Sequence, residues 1–122
     1  MDHTTARKLA QQWCDAWNSR DLEKILEHYA DDIVLTSPYA LKRLGEESKG
    51  QVVGKEMLRK YFAIGLESIP DLHFELVDVL LGVNEVAVLY KRESGATVVD
   101  LMSYDENNKA KTVNALYSQP VK

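Results

Sequence analysis

The second half of this chain is a series of four β-branched and aromatic runs divided by turn residues, and that pattern leaves few folds open. Residues 72–81, 85–93, 96–105 and 110–117 are separated by Gly82-Val83-Asn84, Ser94-Gly95 and Glu106-Asn107-Asn108. Runs of that composition read as strands, and links so short join antiparallel neighbours. A four-strand meander is the expected result. Pro70 separates it from what comes before.

The first half is helical with one interruption. Thr4 or Thr5 can cap a helix in which Ala6, Leu9, Ala10, Trp13, Ala16 and Trp17 recur at helical spacing. Asn18-Ser19-Arg20-Asp21 ends it, and Asp21 caps a second helix whose face is Leu22, Ile25, Leu26 and Tyr29, closing at Asp31-Asp32. The run from Ile33 to Ser37 reads as a strand stopped by Pro38, which cannot donate to a ladder. Residues 39–53 contain Gly45 and Gly50 without clear periodicity, and are expected to form a long, partly mobile loop. Gly54 then introduces a third helix from residue 55 to about 67, with Met57, Leu58, Tyr61, Phe62 and Gly65 turned inward. Helices gathered ahead of a meander make an α+β fold, with the helices on one face of the sheet.

Composition bounds the possible functions. At 122 residues and 45% hydrophobic content, with no Pro/Gly/Ser-rich linker, the chain fits one domain over residues 1–122 with a modest internal pocket. Its net charge of -4, with basic residues scattered, argues against a nucleic-acid or anionic-membrane surface. A single cysteine, Cys14, excludes an internal disulfide and fits a reducing compartment. No secretory signal or membrane-spanning run is visible, so a cytoplasmic protein is expected.

Asp100 stands out within the third run of the meander, Thr97-Val98-Val99-Asp100-Leu101-Met102-Ser103-Tyr104. A carboxylate among apolar neighbours either faces water, has a partner, or does chemistry, because burying it alone is costly. Hairpin parity narrows the choice. A three-residue loop, either Glu93-Ser94-Gly95 or Ser94-Gly95-Ala96, places Val86, Val88, Tyr90 and Arg92 on one face with Val98, Asp100, Met102 and Tyr104. In either register Tyr90 is opposite or diagonal to Asp100, whereas Arg92 reaches it in only one of them.

Other motifs carry less. Gly50-Gln51-Val52-Val53-Gly54-Lys55-Glu56 is one residue short of a phosphate loop and lacks the hydroxyl residue after lysine. His3, His28 and His73 have no zinc spacing, so neither a metal nor a cofactor is expected. Cys14 lacks an evident histidine partner and reads as a buried, inert thiol.

Several segments together resemble a known family: Trp13-Cys14-Asp15-Ala16-Trp17-Asn18-Ser19-Arg20-Asp21-Leu22, Tyr29-Ala30-Asp31-Asp32, Thr36-Ser37-Pro38, Gly54-Lys55-Glu56, Pro70-Asp71-Leu72-His73-Phe74-Glu75-Leu76 and Tyr90-Lys91-Arg92. They are similar to the SnoaL-like branch of the nuclear transport factor 2-like superfamily, which includes ketosteroid isomerase. The resemblance implies a cone-shaped cystatin-like domain, a curved mixed sheet around a long helix with a pocket at the wide end, and a homodimer through the sheet. Members include isomerases, dehydratases, polyketide cyclases, epoxide hydrolases and non-enzymatic subunits, so the reaction must be argued from the site.

On the ketosteroid isomerase pattern, the base position before the proline is Ser37 and the first-helix tyrosine position is Trp13. Only the protonated acid of that oxyanion hole has a counterpart, Asp100. Serine cannot abstract a proton unaided, so that reaction is not expected. The Asp-Arg-Asp cluster of the epoxide hydrolases is incomplete too, and the polyketide cyclases, with one carboxylate in an apolar cavity, are closer in style. The expected protein is thus a small-molecule pocket protein acting on an apolar or polycyclic carbonyl-bearing molecule. Asp100 shuttles a proton, Tyr90 assists, and Trp13, Trp17, Leu35, Ser37, Tyr61, Arg92, Met102 and Tyr117 surround the ligand. The alternative is a non-catalytic binding or dimeric protein-interaction module.

Overall fold

Six strands form one sheet: β1 (Tyr29–Thr36), β2 (Gln51–Val53), β3 (Phe74–Leu81), β4 (Val86–Arg92), β5 (Thr97–Tyr104) and β6 (Ala110–Tyr117). Their order is β2-β1-β6-β5-β4-β3 in a computed structural model that describes residues 1–121; Lys122, the end of the expected domain, lies outside the described residues. Only β1 and β6 pair in parallel, and the other neighbours are antiparallel, so the curved sheet is mixed and ends in the expected meander. Helices α1 (His3–Ser19), α2 (Leu22–Leu26), α3 (Pro38–Leu44) and α4 (Lys55–Ser68) complete an α+β fold. Among the described residues no helix is long and apolar enough to cross a membrane.

Helix α1 buries Ala6, Ala10, Trp13 and Trp17 against the sheet, the face its spacing predicts. Its cap is two positions before Thr4 and three before Thr5, since Asp2 accepts the Thr5 amide at 2.7 Å. A carboxylate there also meets the positive end of the helix dipole. Asn18 then fastens α1 to the sheet: its side chain donates to the Phe74 carbonyl and accepts from the Phe74 amide, both at 2.8 Å. Asp21 caps α2 as expected, accepting the Glu23 and Lys24 amides.

Three expectations need correction. Tyr29 does not extend α2; it is the first residue of β1, paired with Ala110 and 1% exposed. Its apolar spacing fits a helix and an inward strand position equally, and the parallel ladder decides between them. Asp31 and Asp32 consequently sit exposed within β1, where the register with β6 shifts between Tyr29 and Val34.

Residues 39–53 are not one loop. Ser37 caps α3 by accepting the Tyr39 amide, Pro38 takes the first helical turn, a 3-10 turn spans Glu46–Ser48, and β2 pairs with β1. A Ser-Pro start followed by Tyr-Ala-Leu-Lys-Arg-Leu and a closing glycine is a helix signal in itself. On α4, Leu58, Phe62 and Leu66 are buried, but Met57 is 40% exposed rather than turned inward.

The Asn18 clamp carries a direct expectation. Asn18→Ala leaves both polar groups of Phe74 short of a partner, which costs about 1–3 kcal/mol for each group left unsatisfied in a part-buried site. A urea melt should register that loss as a lower midpoint with an unchanged slope.

Candidate functional site

Between α1, α4 and the inner face of β4–β6 lies a cavity of about 80 Å³. The β4–β5 hairpin explains its polar floor. Its loop is Glu93-Ser94-Gly95: Arg92 N–H donates to the Ala96 carbonyl and Gly95 N–H to the Arg92 carbonyl, both at 2.9 Å, with Gly95 at φ +86°. That loop aligns Val88 with Asp100 and Tyr90 with Val98, so Tyr90 and Asp100 are diagonal neighbours on the inner face. The Tyr90 hydroxyl donates to Asp100 Oδ1 at 2.9 Å.

Asp100 is 5% exposed, and no described residue donates to its second oxygen. Across the ladder its neighbour is Ala115, whose small side chain also lines the cavity and leaves the carboxyl open to it. Burial pushes the Asp100 pKa up to about 7, opposed in part by the Tyr90 hydrogen bond and the Arg92 charge. Burial first and the Asp100 charge second raise the hydroxyls of Tyr29, Tyr90, Tyr104 and Tyr117 above the ordinary tyrosine value. All four therefore stay protonated and able to donate.

The walls are aromatic. Trp17 packs edge-on against Phe62 at 4.7 Å between ring centroids, Phe74 lies 5.1 Å from Trp17 and 4.6 Å from Tyr90, and Trp13 meets Tyr90 edge-on at 5.2 Å. Trp13 Nε1 donates to the Tyr29 hydroxyl at 2.9 Å. Trp17 differs: its Nε1 is buried without an acceptor of adequate geometry, although the Tyr29 hydroxyl lies beside it. A buried donor left unmet costs about 1–3 kcal/mol, and Trp17 is among the side chains that line the cavity.

Of the residues expected around a ligand, Trp13, Trp17, Leu35, Ser37, Tyr61, Tyr90, Arg92, Asp100 and Tyr117 all line this cavity. Ser37 is largely committed to capping α3, its oxygen 3.1 Å from the Tyr39 amide. Met102 does not line it: one step further along the inner face of β5, it is 1% exposed and its sulfur accepts the Tyr104 hydroxyl at 3.3 Å. Arg92 does not pair with Asp100. The observed hairpin register puts it opposite Ala96, and its Nε and Nη2 bond Glu93 at 2.9 and 3.3 Å. The guanidinium also stacks over Phe74 at 5.3 Å and Tyr39 at 6.0 Å.

Sequence reading missed Tyr29, Tyr39, Arg43 and Gly65, which also line the cavity. Tyr39 and Arg43 belong to α3, and recognising the Ser37-Pro38 start would have found that helix. Cys14 is 1% exposed, its thiol pushed up to about 12 by burial and nearby carboxylates, as suits an inert core residue. Among the described residues no cluster of three His, Cys, Asp or Glu side chains is arranged to hold a metal ion.

A mixed sheet closing with helices over a cavity is the fold this chain shares with solved nuclear transport factor 2-like proteins. Residues 10–108 match the SnoaL-like domain, and the chain belongs to that family. It is 33% identical to a SnoaL-like protein of unknown function from Burkholderia thailandensis, covering 98% of this chain and 99% of that one with a TM-score of 0.90. A protein from Agrobacterium tumefaciens provisionally named an isomerase of the SnoaL-like family shares the fold at 16% identity, covering 95% and 99% of the two chains with a TM-score of 0.73. So does a Sinorhizobium meliloti protein provisionally named a polyketide cyclase, at 11% identity, coverage of 95% and 100%, and a TM-score of 0.73. No curated protein is similar enough to this chain to match it.

The Asp100 environment makes stability depend on pH in a defined direction. Its folded pKa of about 7 lies above the ordinary 3.8, so the folded state holds the proton more tightly than the unfolded chain. This contribution is fully present below the unfolded value and is lost as pH rises through the folded one. Urea melts of the protein and Asp100→Asn at pH 4 and pH 8 should therefore show the variant gaining relative stability at the higher pH, by on the order of a few kcal/mol.

Proposed function

We propose that the cavity binds a small carbonyl-bearing molecule and that Asp100 moves a proton on it. The observation that carries this reading is a buried carboxyl with one oxygen held by Tyr90, the other free of protein donors, and a pKa raised to about 7. A group poised near neutrality is suited to accept and return a proton. As carboxylate it takes a proton from the carbon beside the carbonyl, leaving an enolate; as carboxylic acid it returns that proton to the same carbon or to a conjugated one. Tyr90 orients the carboxyl, and the unpartnered Trp17 N–H is the donor proposed for the carbonyl oxygen.

The cavity's size narrows the substrate. At about 80 Å³ it is well below the roughly 300–1,000 Å³ of pockets that take drug-sized ligands. A single ring or short chain suits it better than a polycyclic skeleton. The binding-module reading draws support from a different observation: among the described residues Asp100 is the only carboxylate lining the cavity, and no histidine accompanies it.

Hydrogen–deuterium exchange beside the carbonyl of cyclohexanone, followed by NMR, separates the two. An enzyme should accelerate exchange with a rate that climbs to a plateau above about pH 7, following the Asp100 carboxylate. Asp100→Asn should reduce it by about 10²–10⁴-fold while leaving ketone affinity intact. Binding without Asp100-dependent exchange would favour the non-catalytic module.

For the opposite face of the sheet, the proposed partner is a second copy of this chain. The register aligns Leu80, Ala87 and Leu101 in one outward row across β3, β4 and β5, and Leu89, Val99 and Leu116 in the next across β4, β5 and β6. Leu80 and Leu116 are 55% and 48% exposed, and a continuous apolar surface of this kind marks an association site. Light scattering should give twice the chain mass, and Leu116→Lys should return it to the monomer value.

A further inference from the structure

The cavity's charge runs against that of the chain. The protein carries a net charge of -4, yet among the described residues the cavity is lined by two arginines and a single carboxyl, Asp100, whose pKa burial raises to about 7. Glu93 sits behind Arg92 and occupies its Nε and Nη2, and among the described residues Nη1 has no hydrogen-bond partner. Arg43 is different again: among the described residues it has neither an ion pair nor a side-chain hydrogen bond, although it is only half-exposed. A guanidinium held against an aromatic pocket without a counter-ion is an open anion site.

The Arg43 side chain reaches from α3 to α4. Gly65 lies inside that helix, where glycine is disfavoured relative to alanine by about 1 kcal/mol. Its φ is not in the left-handed region, so backbone conformation does not demand it. A Cβ built there would stand 3.8 Å from Arg43 Nη1, an ordinary contact, so the Arg43 guanidinium lies against α4 at this position. Tyr61, one turn earlier on α4, feels the charge of both Arg43 and Arg92, so the two cations converge on one side of the cavity.

We propose that the ligand is a small organic carboxylate, its anionic group held by Arg43 with Arg92 in support and its apolar body lying against Trp17, Phe62 and Phe74. The proposal deepens the pocket reading above by naming the class of molecule; it needs the cavity to bind a ligand, but not Asp100 to transfer a proton. A substrate of this class carries its carbonyl toward Trp17 and Asp100 and its carboxylate toward α3. Arg43 and Arg92 offset the repulsion between the ligand's carboxylate and Asp100 when Asp100 is ionised.

Benzoate and its neutral isostere benzamide test the assignment. The chain's two tryptophans both line the cavity, so their fluorescence reports occupancy directly. Benzoate should quench at a concentration at least about tenfold below that needed for benzamide, with the gap narrowing as salt is raised. Arg43→Gln should abolish the gap, and Arg43→Lys should restore part of it, since the charge survives but the fork does not. Equal affinities, a preference that persists in Arg43→Gln, or no quenching by benzoate at tens of millimolar would each overturn the proposal. These results are separable from the proton-transfer reading. Asp100-dependent exchange on cyclohexanone with no benzoate preference removes only the carboxylate, whereas benzoate binding without any exchange removes only the catalysis.

Discussion

Asp100 sits inside the domain with no cation bonded to it, and the surrounding architecture follows from making that tolerable. An ionised carboxyl at such depth would be costly, so the group retains its proton to higher pH and takes one hydrogen bond from Tyr90. Aromatic side chains from α1, α4 and β3 exclude bulk water from this region, which sustains the shift. Ala115 on the adjoining strand contributes by being small, leaving the free carboxyl oxygen beside open space rather than packed side chain. Burial and access thus coexist because one neighbour across the ladder is truncated.

This arrangement depends on strand parity. The three-residue loop Glu93-Ser94-Gly95 sets the register, and Gly95 supplies the left-handed residue that closes it. A slip of one residue would carry Asp100 to the outer face and leave Tyr90 pointing inward without its acceptor. The same register turns Arg92 away from Asp100 and toward Glu93, so the cavity's acid is influenced by a cation's field without being neutralised by it.

Polar connections between layers keep the cavity's parts in place. Asn18 ties α1 to the first residue of β3, and Arg20 donates from the helix end to the Leu66 and Ile69 carbonyls at the end of α4. Both residues lie just beyond Trp17, so the turn that bears the tryptophan is joined to two walls of the cavity at once. Arg59 of α4 also pairs with Glu23 of α2. These contacts are short-range and local, yet they join segments up to 56 residues apart.

The sequence by itself determined the meander, the inward face of α1, the hairpin parity and the Tyr90–Asp100 pair, because each rests on periodicity or turn chemistry within a few residues. It also carried the family resemblance, now matched by the SnoaL-like domain over residues 10–108. Where local pattern was ambiguous, only the tertiary structure decided. Tyr29 obeys helical spacing but joins a parallel ladder with a strand more than 80 positions away, a contact no local window contains. Met102 shares a face with Asp100 but lies beyond the cavity's end, since depth along a strand depends on where the helices close over it. Arg43 was hidden inside an apparent loop, and its place in the cavity follows from its position on α3, from which the side chain reaches Gly65 of α4. Charge and spacing name the residues, but the volume they enclose and the partners they lack belong to the folded chain alone.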